Sequence, residues 1–134
     1  MKAVKKELIA LALLRVLTGL LVFTHGVRKL LQGPVDAIGK SMAEHGFPPS
    51  FAYVVTLGEL SGLLLALGLF TRLAGASVAA TMAGIVVVVQ SGLIAKVGTG
   101  RGVPFEYPLL LAVAAALFIL LPLTPFSLDA RRRR

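Results

Sequence analysis

Residues 14–29 read LRVLTGLLVFTHGVRK. The run is apolar enough to sit in lipid, yet it carries Arg15 near its middle and His25 and Lys29 toward its end. A charged side chain at the centre of a membrane helix costs on the order of 2.5 to 3.5 kcal/mol on insertion scales, so Arg15 calls for a partner inside the protein. Arg15, Thr18, Val22, His25 and Lys29 are spaced three, four, three and four apart, which places them on one helical stripe. That stripe is predicted to face the interior of a helical bundle.

The rest of the chain supplies the bundle. Of 134 residues, 57% are hydrophobic, and the mean hydropathy of +0.89 lies far above that of a soluble domain of this size. The reading is an all-α integral membrane protein, a single transmembrane domain over 1–134. Apolar runs give four transmembrane helices at 8–31, 51–70, 73–95 and 107–123. A spanning helix needs about 20 residues, so four crossings nearly exhaust the chain. Between helices one and two, Val35, Ile38 and Met42 recur at helical spacing ahead of Gly46, Pro48 and Pro49, predicting a short interfacial helix at 34–45. Thr71 and Arg72 alone join helices two and three, which makes those helices antiparallel neighbours. The glycine-rich segment before Glu106 reads as a loop; its GTGRG at 98–102 joins no strand to a helix and is not a nucleotide cradle.

The net charge is +8, carried at the ends of apolar runs and not along a stripe with interleaved aromatics. The implied partner is membrane lipid, including anionic lipid, and not nucleic acid. The chain has no cysteine, which excludes disulfides, thiolate nucleophiles, iron–sulfur ligation and thioether haem attachment. His45, the second of two histidines, falls in the loop region, so no helical pair could ligate haem; nor is there a flavin or metal motif. The basic N-terminus imitates a secretory signal, but Arg15 interrupts the apolar run and no small-x-small site follows, so a retained first helix is expected. Lys2, Lys5, Lys6, Arg72 and Arg131 to Arg134 place eight basic residues on one side, against Arg28, Lys29, Lys40, Lys96 and Arg101 on the other. The positive-inside rule then puts both termini in the cytoplasm, a margin that rests on the four terminal arginines.

Helix one runs outward and helix two runs back, and Glu59 lies eight residues into the second run. This predicts an Arg15–Glu59 ion pair in the bundle core. The outer half then collects His25, Lys29, Glu59, Gln90, Glu106 and Tyr107. Most of these have a plainer reading beside the chemical one. The ion pair could simply fix register, Lys29 could anchor the interface, Tyr107 could belong to an aromatic belt and Gln90 could bond between helices. Gly58 and Gly62 form a small-xxx-small step suited to close helix packing, a structural role.

LLRVLTGLLVFTHGVRKL at 13–30, GELSGLLLALGLFTRLA at 58–74, FEYPLLLAVAAALFIL at 105–120 and SLDA at 127–130 together resemble the DoxX family. The resemblance covers nearly the whole chain. It implies a four-helix membrane protein linked to redox chemistry, similar to the small subunit of thiosulfate:quinone oxidoreductase. The residues carried over are Arg15, His25, Lys29, Glu59, Arg72, Glu106 and Tyr107. The expected function is a membrane subunit of a quinone-linked redox system, for sulfur-compound oxidation or oxidant defence, in the plasma (inner) membrane of a prokaryote. Glu59 and Glu106 would pass protons; Arg15, His25, Lys29, Gln90 and Tyr107 would bind the head group of a ubiquinone or menaquinone in an outer-half polar pocket; Arg72 would be structural. Electrons would arrive from a redox partner protein, and the small-residue faces suit a homo-oligomer. The alternative is a noncatalytic anchor or assembly subunit; a third reading, a small-anion carrier, lacks the inverted repeats and broken helices of that class.

Overall fold

A computed structural model describes residues 2–33, 35–90, 105–122 and 124–132. Among them there is no strand. The helices are α1 (Lys2–Gln32), α2 (Val35–Glu44), α3 (Phe51–Leu60), α4 (Gly62–Leu67), α5 (Thr71–Gly84), α6 (Glu106–Leu120) and α7 (Leu128–Arg132). A single π-helical turn, Ile85–Val89, prolongs α5 and closes with the Gln90 N–H donating to the Ile85 carbonyl at 3.1 Å. Two helical stretches, Lys5–Gln32 and Thr71–Val88, are long and apolar enough to cross a membrane; Phe51–Leu67 and Glu106–Leu120 are apolar but shorter.

Three bounds differ from the sequence pattern. α1 starts at Lys2, well before the apolar run at Leu8, because no glycine or proline stops it there. The second run is split at Ser61, whose hydroxyl donates to the Gly58 carbonyl at 2.5 Å, while Ser61 itself keeps helical dihedrals and its N–H bonds the Leu57 carbonyl at 3.0 Å. The turn to α5 lies at residues 68–70, so Thr71 and Arg72, read as the link, form the first turn of the helix. Gly68 at φ 66° ends α4, with its N–H on Leu65 O at 3.0 Å and the Leu69 N–H on Leu64 O at 2.9 Å, a left-handed stop that glycine adopts without a Cβ clash. The end of predicted helix three beyond Gln90 and the GTGRG stretch lie outside the described residues.

α1 lies antiparallel to α3 and α4, and α5 lies antiparallel to α6. Gly19 and Gly62 bring α1 and α4 backbone to backbone: a Cβ on Gly62 would fall 2.5 Å from the Gly19 carbonyl oxygen. Higher up, Gly26 faces Glu59 and Leu60; lower down, Gly68 faces Arg15 and Ser127. Val22, Leu65, Ala74, Val78, Met82, Leu111, Ala115 and Phe118 fill the space between. The outer surface is apolar as well, with Leu13 66%, Leu73 71%, Leu110 67% and Leu120 75% exposed. An apolar core inside an apolar jacket is the arrangement of a protein whose solvent is lipid.

Candidate functional site

The close approach of Gly26 to Glu59 fixes the height at which the first two apolar stretches meet. It puts Lys29, one turn further along α1, beside the Glu59 carboxylate: Lys29 Nζ donates to Glu59 Oε1 at 2.5 Å. The Glu59 side chain is 2% exposed and that of Lys29 20%. Glu59 Oε2 is buried and has no hydrogen-bond partner among the described residues. Glu59 is therefore a carboxylate with one oxygen committed to an ammonium and the other free to accept a proton or a donor. His25 and Tyr107 stand together at the same end, ring centroids 5.5 Å apart and planes tilted by 47°. Both are exposed, because the buried position on that turn of α1 is Gly26, and one residue is about 100° of helix. The predicted stripe thus turns inward at Arg15, Thr18 and Val22 and leaves the interior at His25.

Arg15 does not meet Glu59. Along α1, Arg15 and Lys29 are 14 residues apart, about 21 Å at 1.5 Å per residue. Arg15 stands seven residues up from the inner end of the first apolar run and Glu59 eight residues down from the outer end of the second, and in antiparallel helices of this length those two heights do not coincide. Arg15 is 1% exposed and reaches the segment between α6 and α7. Its Nη1 donates to Thr124 Oγ1 at 2.5 Å and its Nη2 to the Phe126 carbonyl at 3.4 Å. Nε is buried without a partner among the described residues. The single polar chamber read from the sequence is two clusters at opposite ends.

Asp129, beyond the apolar runs, completes the second cluster. Its Oδ2 accepts from the Thr71 N–H at 2.8 Å and the Thr71 hydroxyl at 2.7 Å, and its Oδ1 from the Phe70 N–H at 3.1 Å. The N-cap position of α5 is Phe70, which has no side-chain acceptor, and Asp129 supplies one from 58 residues away. Burial pushes its carboxyl upward, but the Thr71 backbone and hydroxyl bonds, the Phe70 N–H and nearby Arg132 outweigh that and hold it below the usual range. Arg132 also stands over the Phe70 ring at 5.6 Å. Thr124, Phe126 and Asp129 were missed as site residues. The available signal was Phe70 immediately ahead of Thr71: a helix that starts after a side chain unable to cap needs its acceptor from elsewhere.

Gln90 ends the π-helical turn with its side-chain oxygen buried and unpartnered among the described residues. Glu106 is exposed on the first turn of α6, and Arg72 is exposed on the first turn of α5. No hydrogen bond or ion pair among the described residues joins Gln90, Glu106 or Arg72 to the Lys29–Glu59 pair. Gly58 packs against Thr81 of α5, and Gly62 against Gly19 of α1. The cavity at the α2 end, of about 230 Å³, is apolar and not polar: it lies between α2, α3 and α5, with Phe47, Val55 and Val88 in its wall and Thr81 as the one polar side chain.

Helices with an apolar jacket, two apolar stretches long enough to cross a bilayer, and Arg15 and Glu59 buried within the apolar helices define a helical membrane protein. The chain belongs to the DoxX family, whose model matches residues 10–91. It is also similar to a Bacillus subtilis protein named "Putative oxidoreductase CatD", 37% identical over 81 residues, which is 58% of this chain and 58% of that relative. The match thus spans little more than half the length of the curated relative. No solved structure matches.

Proposed function

We propose that this chain is a membrane subunit of a quinone-linked redox system, with α1, α3–α4, α5–π and α6 crossing the bilayer and both termini on the cytoplasmic side. The observation that carries the reading is Glu59: a buried carboxylate, one oxygen held by Lys29 and the other without a partner among the described residues, one helical turn along α3 from Val55 in the wall of the apolar cavity. The oxidoreductase in the name of the Bacillus subtilis relative supports a redox role, as does the resemblance to the small subunit of thiosulfate:quinone oxidoreductase. The residues suit a quinone because its head group needs a proton donor or acceptor at each oxygen and an apolar slot for ring and tail.

A ubiquinone or menaquinone, when bound, supplies the redox chemistry, taking up or releasing two electrons and two protons per turnover. Glu59 Oε2 accepts a proton from a hydroxyl or, protonated, donates one to a carbonyl oxygen. Lys29 keeps Glu59 oriented and offsets negative charge beside it. Tyr107, against His25, is a second donor at the same end. Phe47, Val55 and Val88 exclude water from the neighbouring slot. Electrons come from a partner protein, and sulfur-compound oxidation or oxidant defence is the setting.

The experiment is binding of short-tailed ubiquinone and menaquinone analogues to the purified chain in nanodiscs. Saturable binding weakened at least tenfold by Glu59→Gln, about 1.4 kcal/mol, supports the reading. Absence of binding with or without partner proteins, or binding indifferent to that change, refutes it. A noncatalytic anchor is favoured by a different observation, the Arg15 bonds to Thr124 and Phe126 that tie the C-terminal segment to α1. On that reading a Lys29→Leu, Glu59→Leu double variant leaves partner activity intact.

A further inference from the structure

Among the described residues Arg15 is a buried cation with no carboxylate bonded to it. Its two bonded acceptors, Thr124 Oγ1 and the Phe126 carbonyl, are neutral. Asp129 is the anion whose charge acts on it, and both oxygens of Asp129 are already taken by Phe70 and Thr71. A buried guanidinium in that position is costly unless an anion completes it. Nε, moreover, has no acceptor among the described residues.

The same arginine lines a cleft of about 480 Å³ between α1 and α4. Leu13, Leu20, Leu63 and Leu67 make its walls apolar, Arg131 joins Arg15 as a further cation, and no acidic side chain lines it among the described residues. The walls are open to the surroundings, with Leu13 and Leu67 exposed on the jacket that faces lipid. Phe126, beside the cleft, is held exposed at φ 61°, where an aromatic ring suits the level of the lipid head groups. A cleft with cations at its base and rim, apolar flanks and a lateral opening matches one kind of molecule: an anion carrying an acyl chain.

We propose that this cleft is a specific site for an anionic phospholipid, its phosphate held between Arg131 and the Arg15 floor and one acyl chain lying along α1 and α4. The lipid provides the missing counter-ion for Arg15 and closes the α7 end of the bundle. This site is separate from the Lys29–Glu59 pair and does not depend on the quinone reading.

The test is native mass spectrometry of the full chain in neutral detergent with phosphatidylglycerol or phosphatidylcholine of identical chains. Phosphatidylglycerol should be retained preferentially, and Arg131→Gln should reduce that preference about fivefold. Arg132→Gln, which removes the same charge from over the Phe70 ring, should leave it unchanged. Leu63→Trp, which fills the cleft without altering charge, should abolish it while helicity stays that of the wild type. Equal retention of the two lipids overturns the proposal, as do equal losses from Arg131→Gln and Arg132→Gln. Displacement of the lipid by millimolar inorganic phosphate would mark a small-anion site instead and overturns it too.

Discussion

Replacing Lys29 by methionine keeps most of the apolar stem and removes the ammonium that Glu59 Oε1 accepts from. The carboxylate left behind is 2% exposed and already has one oxygen unpartnered among the described residues. Breaking a buried pair by deleting one member costs about 3 to 5 kcal/mol, because an uncompensated charge stays in the interior. Lys29 retains a fifth of its side-chain exposure, so screening and water access place the expected loss near the lower end, about 3 kcal/mol. Glu59→Met removes the acceptor but leaves Lys29 a route to the interface, and should cost about 1 to 2 kcal/mol. The double variant Lys29→Met, Glu59→Met buries no charge and should cost about 1 to 2 kcal/mol, well short of the sum. Reversible unfolding in mixed detergent–SDS micelles, followed by helicity, measures all four corners of the cycle. Additivity within about 0.5 kcal/mol would show that the two groups do not interact, and the assignment of Glu59 as an oriented, half-satisfied carboxylate would be refuted.

Two further expectations concern the opposite end. Thr124→Val removes the acceptor from Arg15 Nη1 without changing shape, and leaves a buried cationic donor unpaired for a loss of about 1.5 to 3 kcal/mol; adding Arg15→Met should recover part of it in the same assay. Asp129→Ala removes the acceptor for three donors at the start of α5 and should cost about 1 to 2 kcal/mol. Because the folded carboxyl sits below its ordinary value, its stabilisation is complete above that value, about pH 4, and fades as pH falls through the folded pKa. Wild type should therefore lose stability on acidification below about pH 4 by more than Asp129→Asn does; parallel pH curves for the two would remove Asp129 from the capping role.

What residues 1–134 determine unaided is the solvent and the local form of the chain: apolar runs of helical length, no strand pattern and charges gathered at run ends. They also determine which way Arg15, Thr18 and Val22 face, since periodicity fixes the azimuth of a side chain around its own helix. Periodicity carries no information about how far one helix slides along another. That offset comes from the contact of Gly19 with Gly62 and from the stop at Gly68, and it gives Glu59 to Lys29 and Arg15 to Thr124. The α5 cap was hidden for a related reason. Asp129 is 58 residues from Thr71 and exists as a cap only once α6 has carried the chain back to the end where α5 begins.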